Sequence, residues 1–431
     1  MSSSLNRRAF LKTASAGTIG AWLGLQTAHS STLSPNERLN LGIIGVANRA
    51  SANLSGVKSE NIVAVCDIDE NFLLRASSGY PKAKTYRDFR RLLEQPGLDA
   101  VVISTADHTH AVASVMAMKL GLHVYCEKPL THSVYEARVV AETAAKYKRV
   151  TQMGTQIHAG NNYRRVVELV QSGVIGPVTE CHVFCDKSWS GGARPIETPA
   201  IPKSLDFDLW LGPAPHRPYH PSYLPVNWRR WWDFGGGTLG DMGCHYMDLT
   251  QWALKLRHPI GVEAEGPPVD AETTPAWIIA RYDFPARGEM PPVQVSWYDG
   301  GKRPALICDG TLGVDWKNGV LFVGEKGCLI ADYNRHRLLP EKSFADFAPP
   351  PRTIPASVGH YQEWIQACKT GGKTTCGFDY AGALTETVLL GNVAYRVGKK
   401  LQWDAGRMKA INCPAADQYI QREYRKGWSL S

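Results

Sequence analysis

Over the first third of the chain, short apolar runs alternate with segments of helical period. Residues 39–45, 61–67, 100–105, 122–127 and 149–153 read as buried strands. Between them, residues 47–57, 72–77, 85–93, 110–120 and 133–146 place apolar side chains three and four apart and predict helices. Strands and helices alternating at this interval predict βαβ units and a parallel sheet covered on both faces. After residue 154 the rhythm changes. A helix is expected over 162–171, then one long strand over 178–189, then a Pro- and aromatic-rich excursion over 191–225. Residues 277–284, 293–297, 319–323 and 328–332 predict strands of an antiparallel sheet, and 359–369 and 381–399 predict helices.

One helix stands apart. Gly235-Gly236-Gly237 breaks what precedes it, and a helical pattern then runs to about residue 254. Asp241, His245, Asp248 and Trp252 share one face, with Met242, Tyr246, Leu249 and Ala253 as the neighbouring apolar stripe. A carboxylate one turn before an imidazole suits proton transfer, since the acid can orient the ring. The same pattern also describes the solvated face of an amphipathic helix.

A length of 431 residues accommodates two domains, and 20% charged with 44% hydrophobic residues describes an ordinary globular protein. The formal charge of +8 is spread without a basic block, so nucleic acid is not an expected partner. Asn6-Arg7-Arg8-Ala9-Phe10-Leu11-Lys12 resembles a twin-arginine export signal. The run that follows is too short and too rich in small residues to be a stable membrane anchor, and Ala28-His29-Ser30 fits a cleavage site. Residues 1–30 are therefore expected to be a signal peptide, 31–37 a linker, and the protein periplasmic, exported already folded. All ten cysteines follow residue 60; Cys66 and Cys126 fall in predicted strands, and Cys368 with Cys376 is the one pair to examine for a bridge. No cysteine or histidine spacing suggests a metal site.

Gly45-Val46-Ala47-Asn48-Arg49-Ala50 joins the first strand to the first helix where a dinucleotide fingerprint belongs, with alanine at the second and third glycine positions. Asp67 ends the second strand 22 residues after Gly45, where an acid accepts hydrogen bonds from a ribose 2′-hydroxyl, which favours NAD over NADP. A strand-end turn residue is the alternative for Asp67. Glu127-Lys128-Pro129 closes the fourth strand. A lysine there can lower the pKa of a substrate hydroxyl; a surface lysine paired with its neighbour is the plainer reading.

Residues 43–67, 104–110, Glu127-Lys128-Pro129 and 235–248 together resemble the glucose–fructose oxidoreductase/inositol dehydrogenase (Gfo/Idh/MocA) family over nearly the whole chain beyond the signal. Met153-Gly154-Thr155-Gln156, Leu209-Trp210-Leu211-Gly212-Pro213 and residues 401–404 are similar to an exported bacterial branch of it. The resemblance implies an α/β Rossmann domain with a parallel sheet (38–155). An α+β C-terminal domain with a large, mainly antiparallel open sheet (156–431) would follow, bind substrate and form a homo-oligomer. It implies Lys128, Asp241 and His245 as the catalytic group: His245 the acid or base, Lys128 tuning the proton transfer, Asp241 orienting the group or contacting the sugar. Gly45, Ala47, Asn48, Arg49, Asp67, Ile68, Thr105, His108, His110, Glu127, Lys128 and Gln156 would bind NAD. Ala47, Ala50 and Ala106 depart from the family pattern.

Trp189, Trp210, Trp228, Trp231 and Trp232 cluster ahead of the key helix. Indole faces stack on sugar rings, while Arg229 and Arg230 can donate to hydroxyls; core packing explains such tryptophans too. Trp189, Arg230, Trp231 and His245, with His158 and Tyr163 at the helix start after the first domain, form the candidate substrate set. The expected function is NAD-dependent oxidation of a secondary hydroxyl of a sugar, glycoside or cyclitol, with the cofactor tightly held. The alternative is a redox-neutral, NAD-assisted glycoside hydrolase, lyase or epimerase working through transient oxidation.

Overall fold

The computed structural model describes residues 37–430. The expected signal peptide and all but the last residue of the expected linker lie outside the described residues. Six strands form the first sheet: β1 (Asn40–Ile44), β2 (Asn61–Cys66), β3 (Lys84–Tyr86), β4 (Ala100–Ile103), β5 (His123–Cys126) and β6 (Thr151–Met153). Their order is β3-β2-β1-β4-β5-β6, and every pair is parallel. Helices cover both faces, so strand residues such as Leu41, Ile43, Val101 and Ile103 have no solvent contact. The order reverses between β1 and β4, and at such a switch point the loops leaving the strands splay to leave a crevice. Register aligns Ile44 with both Cys66 and Ile103, and Ile103 with Cys126. The segments beginning at Gly45, Asp67, Ser104 and Glu127 therefore emerge side by side.

The second sheet has nine strands: β7 (Val178–Phe184), β8 (Gly261–Glu265), β9 (Ile279–Phe284), β10 (Val293–Tyr298), β11 (Gly319–Gly324), β12 (Gly327–Ala331), β13 (His336–Leu339), β14 (Leu401–Asp404) and β15 (Lys409–Ala410). Their order is β13-β12-β11-β7-β10-β9-β8-β14-β15. All neighbours are antiparallel except β7 and β10. The expected fold class is thus observed, with more strands than the apolar runs alone predict. The Gly237–Ala253 helix packs against the Phe378–Val397 helix, which also packs against the Val134–Tyr147 helix of the first sheet. Residues 38–430 consequently lie within one compact unit.

Three expectations are corrected. Residues 85–93 are not one helix: β3 takes Lys84–Tyr86, and a helix starts only at Phe89, where the Asp88 carboxylate accepts from the Arg90 N–H. The long strand over 178–189 stops at Phe184, since the Asp186 N–H turns aside to the Asn318 side chain at 2.7 Å. Cys368 and Cys376 form no bridge; all ten cysteines are free thiols, nine of them wholly or partly buried. Among the described residues, no helix is long and apolar enough to cross a membrane.

Candidate active site

A crevice opens over the carboxyl ends of β1, β2 and β4. Gly45, Ala47, Asn48, Arg49, Asp67, Ile68, Thr105 and His108 line it on one side, and Trp210, Trp228 and Arg229 on the other. Gly45 has φ +82°, and a Cβ there would stand 2.9 Å from the Ser104 carbonyl carbon, so only glycine lets the β1 loop lie this close to the β4 loop. Asp67 anchors the same loop: its carboxylate accepts from the Val46 N–H and the Asp69 N–H, each at 3.0 Å. Burial pushes the Asp67 carboxyl above its usual range, partly opposed by those bonds. The residues fit a dinucleotide: a glycine-tight strand-to-helix turn, an acid at the end of β2, and a crevice at the switch point between them.

Arg229, which lines this crevice, also bonds Asp241, and there Lys128 and Asp241 meet. Lys128 Nζ donates to Asp241 Oδ1 at 2.6 Å and to the Asp241 carbonyl at 2.8 Å. Arg229 Nε donates to the same Oδ1 at 2.9 Å, and Trp189 Nε1 donates to Oδ2 at 2.8 Å. Burial alone would raise the Asp241 carboxyl, but the Lys128 and Arg229 charges and hydrogen bonds hold it well below the usual range. The glycine run makes this possible. Gly237 takes φ +63°, and a Cβ on it would stand 2.8 Å from Thr274. The helix therefore starts against the strap that carries Trp189, whose N–H donates to Thr238.

His245 lies one turn along the helix and does not bond Asp241. Its Nδ1 is buried without a partner. Burial first, and then the Lys128 charge, push its pKa well below the ordinary value, so the ring is neutral. A neutral imidazole with a free buried nitrogen beside an ammonium–carboxylate pair can accept a proton from a bound hydroxyl. Asp107 was not foreseen. It is buried at the start of the Asp107–Lys119 helix, and burial, reinforced by the Asp241 charge, pushes its carboxyl well above the usual range against the pull of Arg229 and Lys128.

Several expected site residues serve elsewhere. His158 Nδ1 faces Asp248 Oδ1 at 2.9 Å, and its ring stacks on Trp252 at 4.2 Å; Tyr380 donates to the same carboxylate at 2.7 Å. Asp248 therefore holds His158 and does not support His245. Tyr163 is fully buried and donates to the His245 carbonyl at 3.2 Å, so it fixes the helix and is not a substrate contact. Trp231 packs edge-on against Tyr223 within an aromatic core. Arg230 is replaced by its neighbour Arg229 at the crevice, because the short Asn227–Arg230 turn directs only Arg229 to Asp241. Trp189 does reach the site.

The cofactor set divides similarly. His108 lines the crevice, but its Nε2 bonds the Trp210 carbonyl at 2.8 Å and burial lowers its pKa to about 3. His110 sits between the Pro129 and Thr105 carbonyls at 2.8 and 3.1 Å, bracing two strand ends from behind. Glu127 is buried and accepts from Arg49 Nε at 3.1 Å and Gln156 Nε2 at 3.2 Å. Glu127 and Gln156 thus orient Arg49 rather than line the crevice themselves. Among the described residues, no three His, Cys, Asp or Glu side chains gather as a metal group.

Comparison with known proteins agrees with this arrangement. Residues 39–155 match the family model described as the oxidoreductase family, NAD-binding Rossmann fold, and residues 159–290 match that of its C-terminal alpha/beta domain. A glycosyl hydrolase family 109 protein of Shewanella pealeana is 29% identical over 203 residues, covering 40% of this chain and 44% of that one. A myo-inositol 2-dehydrogenase of Thermotoga maritima is 26% identical over 176 residues, covering 40% and 52%. The chain spans about half the length of these curated relatives. The crystal structure of GenD2 from gentamicin A biosynthesis, in complex with NAD, superposes with a TM-score of 0.61 at 18% identity, covering 89% of this chain and 100% of that one. Crevice, parallel sheet, open second sheet and both family models together place the chain in the Gfo/Idh/MocA oxidoreductase family.

Proposed function

We propose that the protein is an NAD-dependent oxidoreductase acting on a secondary hydroxyl of a sugar, glycoside or cyclitol, with its cofactor tightly held. The observation that carries this reading is the Lys128–Asp241 pair near the neutral His245, joined to the crevice through Arg229, which lines it and bonds Asp241. NAD, when bound, supplies a hydride acceptor at its nicotinamide. Gly45, Asn48, Arg49, Asp67 and Thr105 would hold it. His245 takes the hydroxyl proton; Lys128 lowers that hydroxyl's pKa and binds the developing alkoxide. Asp241 fixes the lysine, and Trp189, bonded to the same carboxylate, adds an apolar wall suited to a sugar face. Mass spectrometry of the denatured purified protein for released NAD tests the reading, and neither bound NAD nor NAD affinity would sink it.

A second reading is a redox-neutral cleavage of a glycosidic bond. The similarity to the family 109 glycosyl hydrolase protein supports it. A panel of glycosides incubated without added NAD separates the two: bond cleavage with no NADH accumulation selects the second, and accumulation without cleavage the first.

The twin-arginine motif supports a periplasmic location reached in the folded state. Arg7→Lys with Arg8→Lys is expected to leave the protein in the cytoplasm; unchanged export refutes that route. The open second sheet supports a homo-oligomer, which light scattering decides.

A further inference from the structure

Both family models stop at or before residue 290, yet residues 421–430 run back to the first domain. Arg422 Nε donates to the buried Glu136 at 2.8 Å, and Tyr424 bonds the same carboxylate. Arg425 Nε donates to the Gly212 carbonyl at 3.0 Å, and its guanidinium also pairs with Asp208. These bonds deliver Trp428 to the crevice, where it lines the wall together with Arg87, Asp88 and Phe89. Its ring centroid lies 5.9 Å from that of Phe89, and the Arg90 guanidinium sits 4.6 Å over its face. Arg90 is in turn fixed by the Asp88 carboxylate at 2.7 Å. The indole is therefore held from one side while it forms part of the crevice lining.

Position assigns the occupant. An acid at the end of β2 marks the adenosine ribose in this fold, and the crevice beyond Asp67, away from Lys128, must then take the base. Trp428, Phe89 and Ile68 make that end apolar and aromatic. Flat aromatic walls bind nucleobases by stacking without discriminating among them.

We propose that Trp428 is a cofactor-binding residue, forming with Phe89 the aromatic wall of an adenine subsite that the 421–430 segment clasps shut. This rests on the NAD reading above and adds a residue that lies outside both family models. Calorimetry with AMP, nicotinamide mononucleotide and NAD tests it on nucleotide-stripped wild type, Trp428→Ala and Trp428→Phe. The alanine variant is expected to bind AMP and NAD about 10-fold more weakly or worse, a loss on the scale of base–aromatic stacking. Nicotinamide mononucleotide should be unaffected, and the phenylalanine variant should recover most of the loss. Equal NAD and AMP affinity in wild type and Trp428→Ala overturns the proposal, as does equal weakening of nicotinamide mononucleotide. A wild type that binds none of the three instead defeats the NAD reading itself. An 8-azidoadenine analogue of NAD, cross-linked to the wild type, gives an answer independent of variant folding. Label on the peptide holding Trp428 supports the subsite, and label confined to other peptides overturns it.

Discussion

Lys128 and Asp241 meet twice, the ammonium bonding both the carboxylate at 2.6 Å and the backbone carbonyl at 2.8 Å of the same residue. The pair ties the loop after β5 to the Gly237–Ala253 helix across 113 residues of sequence. It also separates two roles. Removing the lysine deprives a substrate hydroxyl of its cation. Removing the carboxylate leaves two partly buried cations without the acid they share.

Lys128→Ala is accordingly expected to cut kcat by about 10²–10⁴-fold, the usual span for a group acting in proton transfer. Its melting temperature should fall as well, because the buried Asp241 carboxylate then keeps Arg229 as its only charged partner. Steady-state kinetics beside a thermal melt check this, and unchanged turnover refutes the role.

Asp241→Asn should lose stability as well as activity. A neutral amide cannot offset Lys128 and Arg229, and since both cations are partly exposed the loss should stay at or below about 3 kcal/mol, the lower edge for a fully buried pair. Urea denaturation measures the loss. A variant as stable as the wild type would mean that solvent already screens the cluster.

His245, His108 and His360 are kept neutral by burial, with His108 and His360 at about 3. Their folded pKa values lie below the unfolded value of about 6.5, so the unfolded chain binds more protons. The stability they contribute is complete above about pH 6.5 and is lost as pH falls below it. Asp241 has the same sign in a lower window: its contribution is present above about pH 3.9 and lost below. Asp107, with its carboxyl raised, works in the opposite sense. The informative measurement is therefore the difference between wild type and His108→Gln in urea midpoints at pH 7.5 and 5.5. The variant should show the shallower decline on acidification.

Gly45→Ala forces a side chain into φ +82° and against the Ser104 backbone. A loss of about 1–2 kcal/mol is expected from the left-handed backbone, with more from the clash. NAD affinity should fall with it. Ala50→Gly separates fold from binding: Ala50 is fully buried in the first turn of its helix, so about 1 kcal/mol of stability should go while NAD affinity holds. Calorimetry on both variants decides whether the loop's shape or merely its helix is what the cofactor needs.

Thiol titration in denaturant should return ten free thiols from protein prepared without reductant. A count of eight would restore the Cys368–Cys376 bridge.

Local chemistry made part of the site legible in sequence. Asp67 and Lys128 follow apolar runs that end abruptly, and strand ends are where this fold places its chemistry, while the glycine run marks the start of the Asp241 helix. What escaped has long-range causes. Helical spacing predicts that Asp241 and His245 share a face, but Asp241 spends its carboxylate on Lys128, Arg229 and Trp189, which no local period announces. Asp248 pairs with His158 across 90 residues for the same reason. Strand patterns carry no direction, so the parallel β7–β10 pairing within an antiparallel sheet left no trace. The three-residue β3 is too short to show an alternation. Trp428 stands in a segment without periodicity, and only its distant anchors bring it to the crevice.

Those anchors set an order of assembly. The carboxylate that holds Arg422 belongs to a residue synthesised 286 positions earlier. A ribosome completes all six strands of the parallel sheet long before it delivers the indole. On the proposed adenine subsite, the crevice lacks one wall until the 421–430 segment docks, and only then would the grip on NAD tighten. Cofactor retention would then report on the docking of residues 421–430, with a chain cut ahead of them betrayed by the nucleotide it lets go.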